Sequence, residues 1–341
     1  MDAYAPAANP LAHAPSRQRG QKTVKRAVRA SASSSIARAA PTSVVPKNGV
    51  WATGIATGPA GVSRYKVFKP TGLPKGQLCP LIVMLHGCGQ SANDFATTTR
   101  MNKLAALYGF MVLYPEQDRI ANAQGCWNWF ESRAGRAQRE AASVLSALDN
   151  ACALYAAIDP KRVAIVGLSA GASMAALVAL LFPHRIAAVV MHSGVEPMSA
   201  SSSATALAAM RGRYRQTLPA VPSQLPLALP ALLVLQGSAD PVVLRANGMR
   251  AAQAWAARTH ALPKEARVAR RGQRYPLTTM DWVGPNRRLQ VTLSEIQGLG
   301  HAWSGGAASQ AYSDPKGPDA SRMVWAFVKK QFDALAPVFI S

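Results

Sequence analysis

From about residue 62 onward, short apolar, β-branched runs alternate with longer stretches of helical pattern. Residues 81–85, 110–114, 163–166, 187–191, 231–235 and 289–296 read as strands, and residues 94–108, 136–155, 170–182, 245–259 and 318–335 read as helices. Continuous apolar strands that take turns with helices predict a mostly parallel sheet covered by helices on both faces. Sites in such sheets lie beyond the carboxyl ends of the strands.

Two segments break the rhythm. Residues 1–48 are rich in Ala, Ser, Arg and Pro and cannot bury enough apolar surface to fold alone, so they are expected to form a disordered basic tail ahead of one catalytic domain over 49–341. Residues 196–230, rich in Ser, Ala and Pro, are longer than an ordinary connection and are expected to form a lid or an irregular insertion near the site. The tail has no apolar run flanked by a cleavage site, so no conventional secretory signal is visible. No apolar stretch is long enough to span a bilayer, the longest being residues 172–182.

Composition narrows the classes. Of 341 residues, 49% are hydrophobic and 16% charged, enough for a buried core. The formal charge of +22 favours anionic surfaces, and residues 1–50 alone hold eight Lys/Arg against one Asp. Without aromatic interleaving or zinc spacing the basic residues do not form a nucleic-acid module, so specific nucleic-acid binding is not expected. The four cysteines, 79, 88, 126 and 152, contain no C-x-x-C pair, which argues against structural zinc; Cys79 and Cys152 read as buried free thiols.

The chemistry starts at Gly167-Leu168-Ser169-Ala170-Gly171, a G-x-S-x-G sequence between the 163–166 strand and the apolar helix that follows. A sharp strand-to-helix turn exposes the serine hydroxyl, and the helix N-terminus offers free N–H groups to a developing oxyanion. The strand 81–85 runs into His86-Gly87-Cys88-Gly89-Gln90, whose glycines let the backbone approach a reacting carbonyl. The N–H groups of Cys88 and Ala170 are therefore the expected oxyanion hole, while His86 reads as a structural histidine holding the loop. An acid belongs after the serine and before the histidine, and the strand 231–235 leads to Asp240. Of six histidines, His260 and His301 follow Asp240. His260 ends a helix, whereas His301 follows the strand 289–296 within Gly298-Leu299-Gly300-His301 and is the expected base. Ser169, His301 and Asp240 as nucleophile, base and orienting acid need neither metal nor organic cofactor.

With these motifs in place, residues 64–335 resemble the poly(3-hydroxybutyrate) depolymerase family of esterases, which includes feruloyl and acetylxylan esterase relatives. The resemblance rests on His86-Gly87-Cys88-Gly89-Gln90, Tyr114-Pro115-Glu116-Gln117, Cys126-Trp127-Asn128-Trp129-Phe130, the Ser169 pentapeptide and Gly300-His301-Ala302-Trp303. It implies an α/β-hydrolase acting on carboxylic esters such as polyester, oligomer or plant-wall ester, commonly secreted, with Cys88 and Cys126 paired in a disulfide. That pairing implies an oxidising compartment, in tension with the absent signal, and leaves a cytoplasmic location as the alternative. Trp127, Trp129 and Trp303 are candidate substrate contacts. No separate polymer-binding module is expected after the catalytic domain, which favours soluble or amorphous esters, oligomers, or polymer reached by the basic surface. The rival from another class is a basic polyanion- or granule-binding protein on an inert hydrolase scaffold; in a milder form, the tail tethers an active esterase to an anionic surface.

Overall fold

Alternation along the buried strands sorts their side chains to two faces, and each face has its own core. On the strand Cys79–Leu85, Leu81, Val83 and Leu85 point to one cluster while Ile82 and Met84 point to the other; Val163 and Ile165 against Ala164 and Val166 repeat the division on the strand Ile158–Leu168. A computed structural model describes residues 48–213 and 229–335. The tail expected over 1–48 falls outside these residues except for its last position, as does the 214–228 part of the expected insertion.

In chain order the elements are β1 (Gly49–Gly58), β2 (Gly61–Pro70), β3 (Cys79–Leu85), α1 (Ala92–Thr99), α2 (Met101–Tyr108), β4 (Met111–Glu116), α3 (Arg136–Leu154), β5 (Ile158–Leu168), α4 (Ala170–Leu181), β6 (Ala188–His192) and α5 (Ser203–Met210). There follow β7 (Ala231–Gly237), α6 (Ala246–Arg258), β8 (Leu262–Pro263), β9 (Arg267–Ala269), β10 (Leu277–Val283), β11 (Leu289–Ile296), β12 (Trp303–Ser304), β13 (Ser313–Asp314) and α7 (Ala320–Asp333). The main sheet runs β1-β2-β4-β3-β5-β6-β7-β11-β10-β8, with β9 also paired to β10. From β4 to β11 the pairing is parallel, and antiparallel strands flank it at both edges. Helices α3, α4 and α6 bury their apolar sides in one cluster; α1, α2 and α7 bury theirs in the other. This is the mostly parallel, doubly covered sheet expected from the pattern.

Three differences have physical causes. The helix expected over 94–108 is two, because Arg100 takes a left-handed backbone (φ 54°) after three threonines. Thr97 and Thr99 hydroxyls bond back to the carbonyls of Asn93 and Phe95, a local alternative that weakens helix continuation. The hairpin β1–β2 was not among the expected strands; β1 contains three glycines and only one buried position, and β2 mixes exposed with buried positions instead of forming a continuous apolar run. Gly54 is required there, as a Cβ would lie 2.1 Å from the Tyr65 ring. Within the irregular segment after β6 lies a short helix, α5, with a capping box formed by Ser202 and Thr205. No helix among the described residues is long and apolar enough to cross a membrane.

Candidate active site

Strand β5 ends one residue before Ser169, which has φ 57° and ψ −122°. A non-glycine residue in this region carries about 1–3 kcal/mol of strain, held in place by its surroundings. Here the restraint is visible: the Ser169 N–H donates to His192 O at 2.9 Å, and Ser169 O accepts from the N–H groups of Ala172 and Ser173. The motif glycines are steric requirements. A Cβ on Gly167 would lie 2.1 Å from Gly171 O, and one on Gly171 would lie 2.3 Å from Leu85 O. The ends of β3 and β5 and the first turn of α4 therefore close on one another only without side chains at these two positions.

Asp240 and His301 arrive on loops leaving the neighbouring strands β7 and β11, both at their carboxyl ends. These loops are tied together by Ser238 N–H to Ile296 O (2.9 Å) and Ala239 N–H to Leu299 O (3.0 Å). His301 Nε2 lies 3.0 Å from Ser169 Oγ, and His301 Nδ1 lies 2.8 Å from Asp240 Oδ2. The other carboxylate oxygen of Asp240 accepts the N–H groups of Val242 and Val243, each at 2.9 Å. Burial alone would raise the Asp240 pKa. The His301 hydrogen bond and charge, with the two backbone N–H groups, outweigh burial and hold it below the usual carboxylate range.

Beneath this row lies His192, which sequence reasoning passed over although it ends an apolar strand at the site. It is fully buried, stacks on Trp303 with centroids 5.0 Å apart, and its Nε2 accepts the Ser304 N–H at 3.2 Å. Burial, then the nearby charge of His301, lowers its pKa to about 3, so it stays neutral. Trp303, a candidate substrate contact, is instead structural: it is fully buried against His192 and Phe95, with its indole N–H donated to Ser321 Oγ.

Residues 86–90 pass beside the serine, with a Cβ on Gly87 falling 3.6 Å from that of Ser169. His86 is buried and holds the loop, pairing Nδ1 with Gly87 O and accepting the Gln117 N–H at Nε2. Among the described residues, neither the Cys88 nor the Ala170 N–H has a hydrogen-bond acceptor. Cys88 is disulfide-bonded to Cys126, which brings the 126–130 motif onto the 86–90 loop. Cys79 is a buried free thiol as expected; Cys152, also free, is only partly buried. Glu140 of α3, another residue the sequence did not single out, accepts from Asn128 N–H (2.8 Å) and Gln117 Nε2 (2.9 Å) and so locks two motifs together.

An apolar cavity of about 360 Å³ opens on Ser169. It is lined by the Cys88–Cys126 bridge with Trp127, Trp129 and Phe130, and by Val195, Val243 and helix α5. Trp127 and Trp129 thus line the cavity, while Trp303 does not.

Residues 63–274, more than half of the chain, match the family described as Esterase PHB depolymerase. The chain belongs to this esterase family. It is 40% identical over 119 residues to poly(3-hydroxyalkanoate) depolymerase C of Paucimonas lemoignei, covering 35% of this chain and 28% of that protein. It is 31% identical over 128 residues to feruloyl esterase B of Neurospora crassa, covering 37% and 42% respectively. The matches thus span less than half the length of either relative. Acetyl xylan esterase from Aspergillus awamori superposes with a TM-score of 0.57 at 18% identity, over 73% of this chain and 94% of that one. An esterase from Pyrobaculum calidifontis superposes with a TM-score of 0.50 at 16% identity, over 83% and 86%. The fold is that of the α/β-hydrolases.

The family match includes Ser169 and Asp240 and ends before His301. The closeness of the histidine to the other two comes from the loop that β11 delivers, not from the matched stretch.

Proposed function

We propose that this esterase-family chain hydrolyses carboxylic esters through an acyl-enzyme on Ser169, with oligomers of 3-hydroxybutyrate as the favoured substrate class. The observation that carries the reading is the hydrogen-bonded row Ser169–His301–Asp240 at the mouth of an apolar cavity. As Ser169 Oγ attacks the ester carbonyl, its proton passes to His301 Nε2, and Asp240 stabilises the imidazolium. The carbonyl oxygen becomes an oxyanion facing the N–H groups of Cys88 and Ala170. Collapse breaks the ester C–O bond, the alcohol leaves with the proton from His301, and water repeats the sequence to release the acid.

The basic tail is read as an accessory that draws the enzyme to anionic surfaces. The Cys88–Cys126 bridge supports action in an oxidising, extracellular setting. The test compares the purified protein with Ser169→Ala on short p-nitrophenyl esters, a hydroxybutyrate oligomer and a feruloyl ester. Turnover of the oligomer that vanishes in the variant is the expected result. Equal turnover in both proteins overturns the serine mechanism, and preference for the feruloyl ester overturns the substrate class.

A further inference from the structure

Helix α5 presents Ser203, Ala206, Leu207 and Met210 to the cavity, the i, i+3, i+4, i+7 face of a helix. Trp129 and Phe130 line the same cavity, so the space available above Ser169 is bounded by this helix and those rings. None of the lining residues is ionisable, the two cysteines being bridged. At about 360 Å³ the cavity lies near the lower end of the roughly 300–1,000 Å³ typical of ligand sites.

The helix is fixed rather than loosely draped. Met210 O accepts both the Leu244 N–H (2.9 Å) and the side-chain amide of fully buried Asn247 (2.8 Å). Arg250 adds a bond to Gly212 O at 2.7 Å, and the segment leading into α5 is anchored by the largely buried Glu196–Arg258 pair. Val243, whose N–H holds Asp240, lines the same cavity. The wall and the orienting acid therefore share one support.

We infer that α5 is the acyl-selecting wall of the site, and that it admits an uncharged aliphatic acyl group of a few carbons. This rests on the reading of Ser169 as the acylated residue. Ala206 sets the width, because it is 5% exposed and any larger side chain there projects into the cavity. Met210 closes the same face one turn further along.

The experiment measures kcat/KM for p-nitrophenyl acetate, butyrate and hexanoate with the native protein, Ala206→Leu and Met210→Ala, each checked for folding by its melting temperature. Ala206→Leu is expected to lower the hexanoate-to-acetate ratio by about tenfold or more, the factor one methylene commands in an apolar pocket. Met210→Ala is expected to raise it. Ratios that stay at the native value in both variants overturn the inference. A binding arm separates this from the mechanism: methyl acetate and methyl hexanoate are titrated by tryptophan emission against Ser169→Ala protein with and without each wall substitution. If Ser169→Ala still hydrolyses esters, the serine reading falls and the binding ratios alone decide the wall. Shifts in the same direction as above uphold it; unshifted ratios or no saturable binding overturn it.

Discussion

Glu140 accepts the backbone N–H of Asn128 at 2.8 Å from a position only 3% exposed, so a helix on the outside of the sheet sets the path of a wall of the active-site cavity. Its other contacts go to the Asn128 side-chain amide, Gln117 and Arg136. Glu140→Ala leaves the buried backbone and side-chain donors of Asn128 unpaired and is expected to cost about 1–3 kcal/mol. Glu140→Gln keeps one of the two acceptor oxygens and should cost less. Urea unfolding of the three proteins checks the order, and equal midpoints would refute it.

Acid should destabilise the fold through His192. Its folded pKa of about 3 lies below the unfolded value near 6.5, so the unfolded chain binds the extra proton as pH falls through this window. The slope from this group is about 1.4 kcal/mol per pH unit, fully developed between those two values. Asp240, held below its usual range, acts in the same sense, its stabilisation being lost as pH falls through its folded pKa. Unfolding free energies at pH 7 and pH 5 should therefore differ more for the native protein than for His192→Gln.

At Ser169 stability and chemistry oppose each other. Glycine tolerates φ 57° without strain, so Ser169→Gly should abolish ester turnover and stabilise the protein by about 1 kcal/mol. Ser169→Ala should abolish turnover without that gain. Differential scanning calorimetry of the two variants distinguishes strain relief from loss of the hydroxyl.

The Cys88–Cys126 bridge closes a loop with a sequence separation of 38, for which chain entropy gives about 4 kcal/mol at most. Because the Cys88 N–H is a proposed oxyanion donor, reduction should lower kcat under conditions where the fold persists. Activity and near-ultraviolet circular dichroism followed together in dithiothreitol check this; unchanged kcat after complete reduction would remove the bridge from the oxyanion loop's support.

The parallel core was readable because strands buried on both faces are continuous apolar runs, and the serine elbow because its glycines answer to contacts as short as 2.1 Å. Chain order then led to Asp240 and His301, which the fold brings to hydrogen-bonding distance of each other, with His301 also reaching Ser169. The edges were harder. Strands β1 and β10 are mostly half-exposed and mix polar with apolar positions, so they lack that signature. Trp303 was misjudged because proximity to His301 in sequence says nothing of which way a ring points; it packs downward onto His192. Glu140 and His192 act through partners far away in the chain, and single residues of this kind leave no local pattern.

Arg100, at the break between α1 and α2, grips the carbonyls of Gly305 and Gly306 just beyond His301. On the proposed mechanism the nucleophile is made 132 residues before its base, and the base's loop is clasped by a residue made still earlier. A ribosome-bound chain that has displayed Ser169 but not yet His301 would therefore lack its base, and turnover would wait on the loop that follows β11.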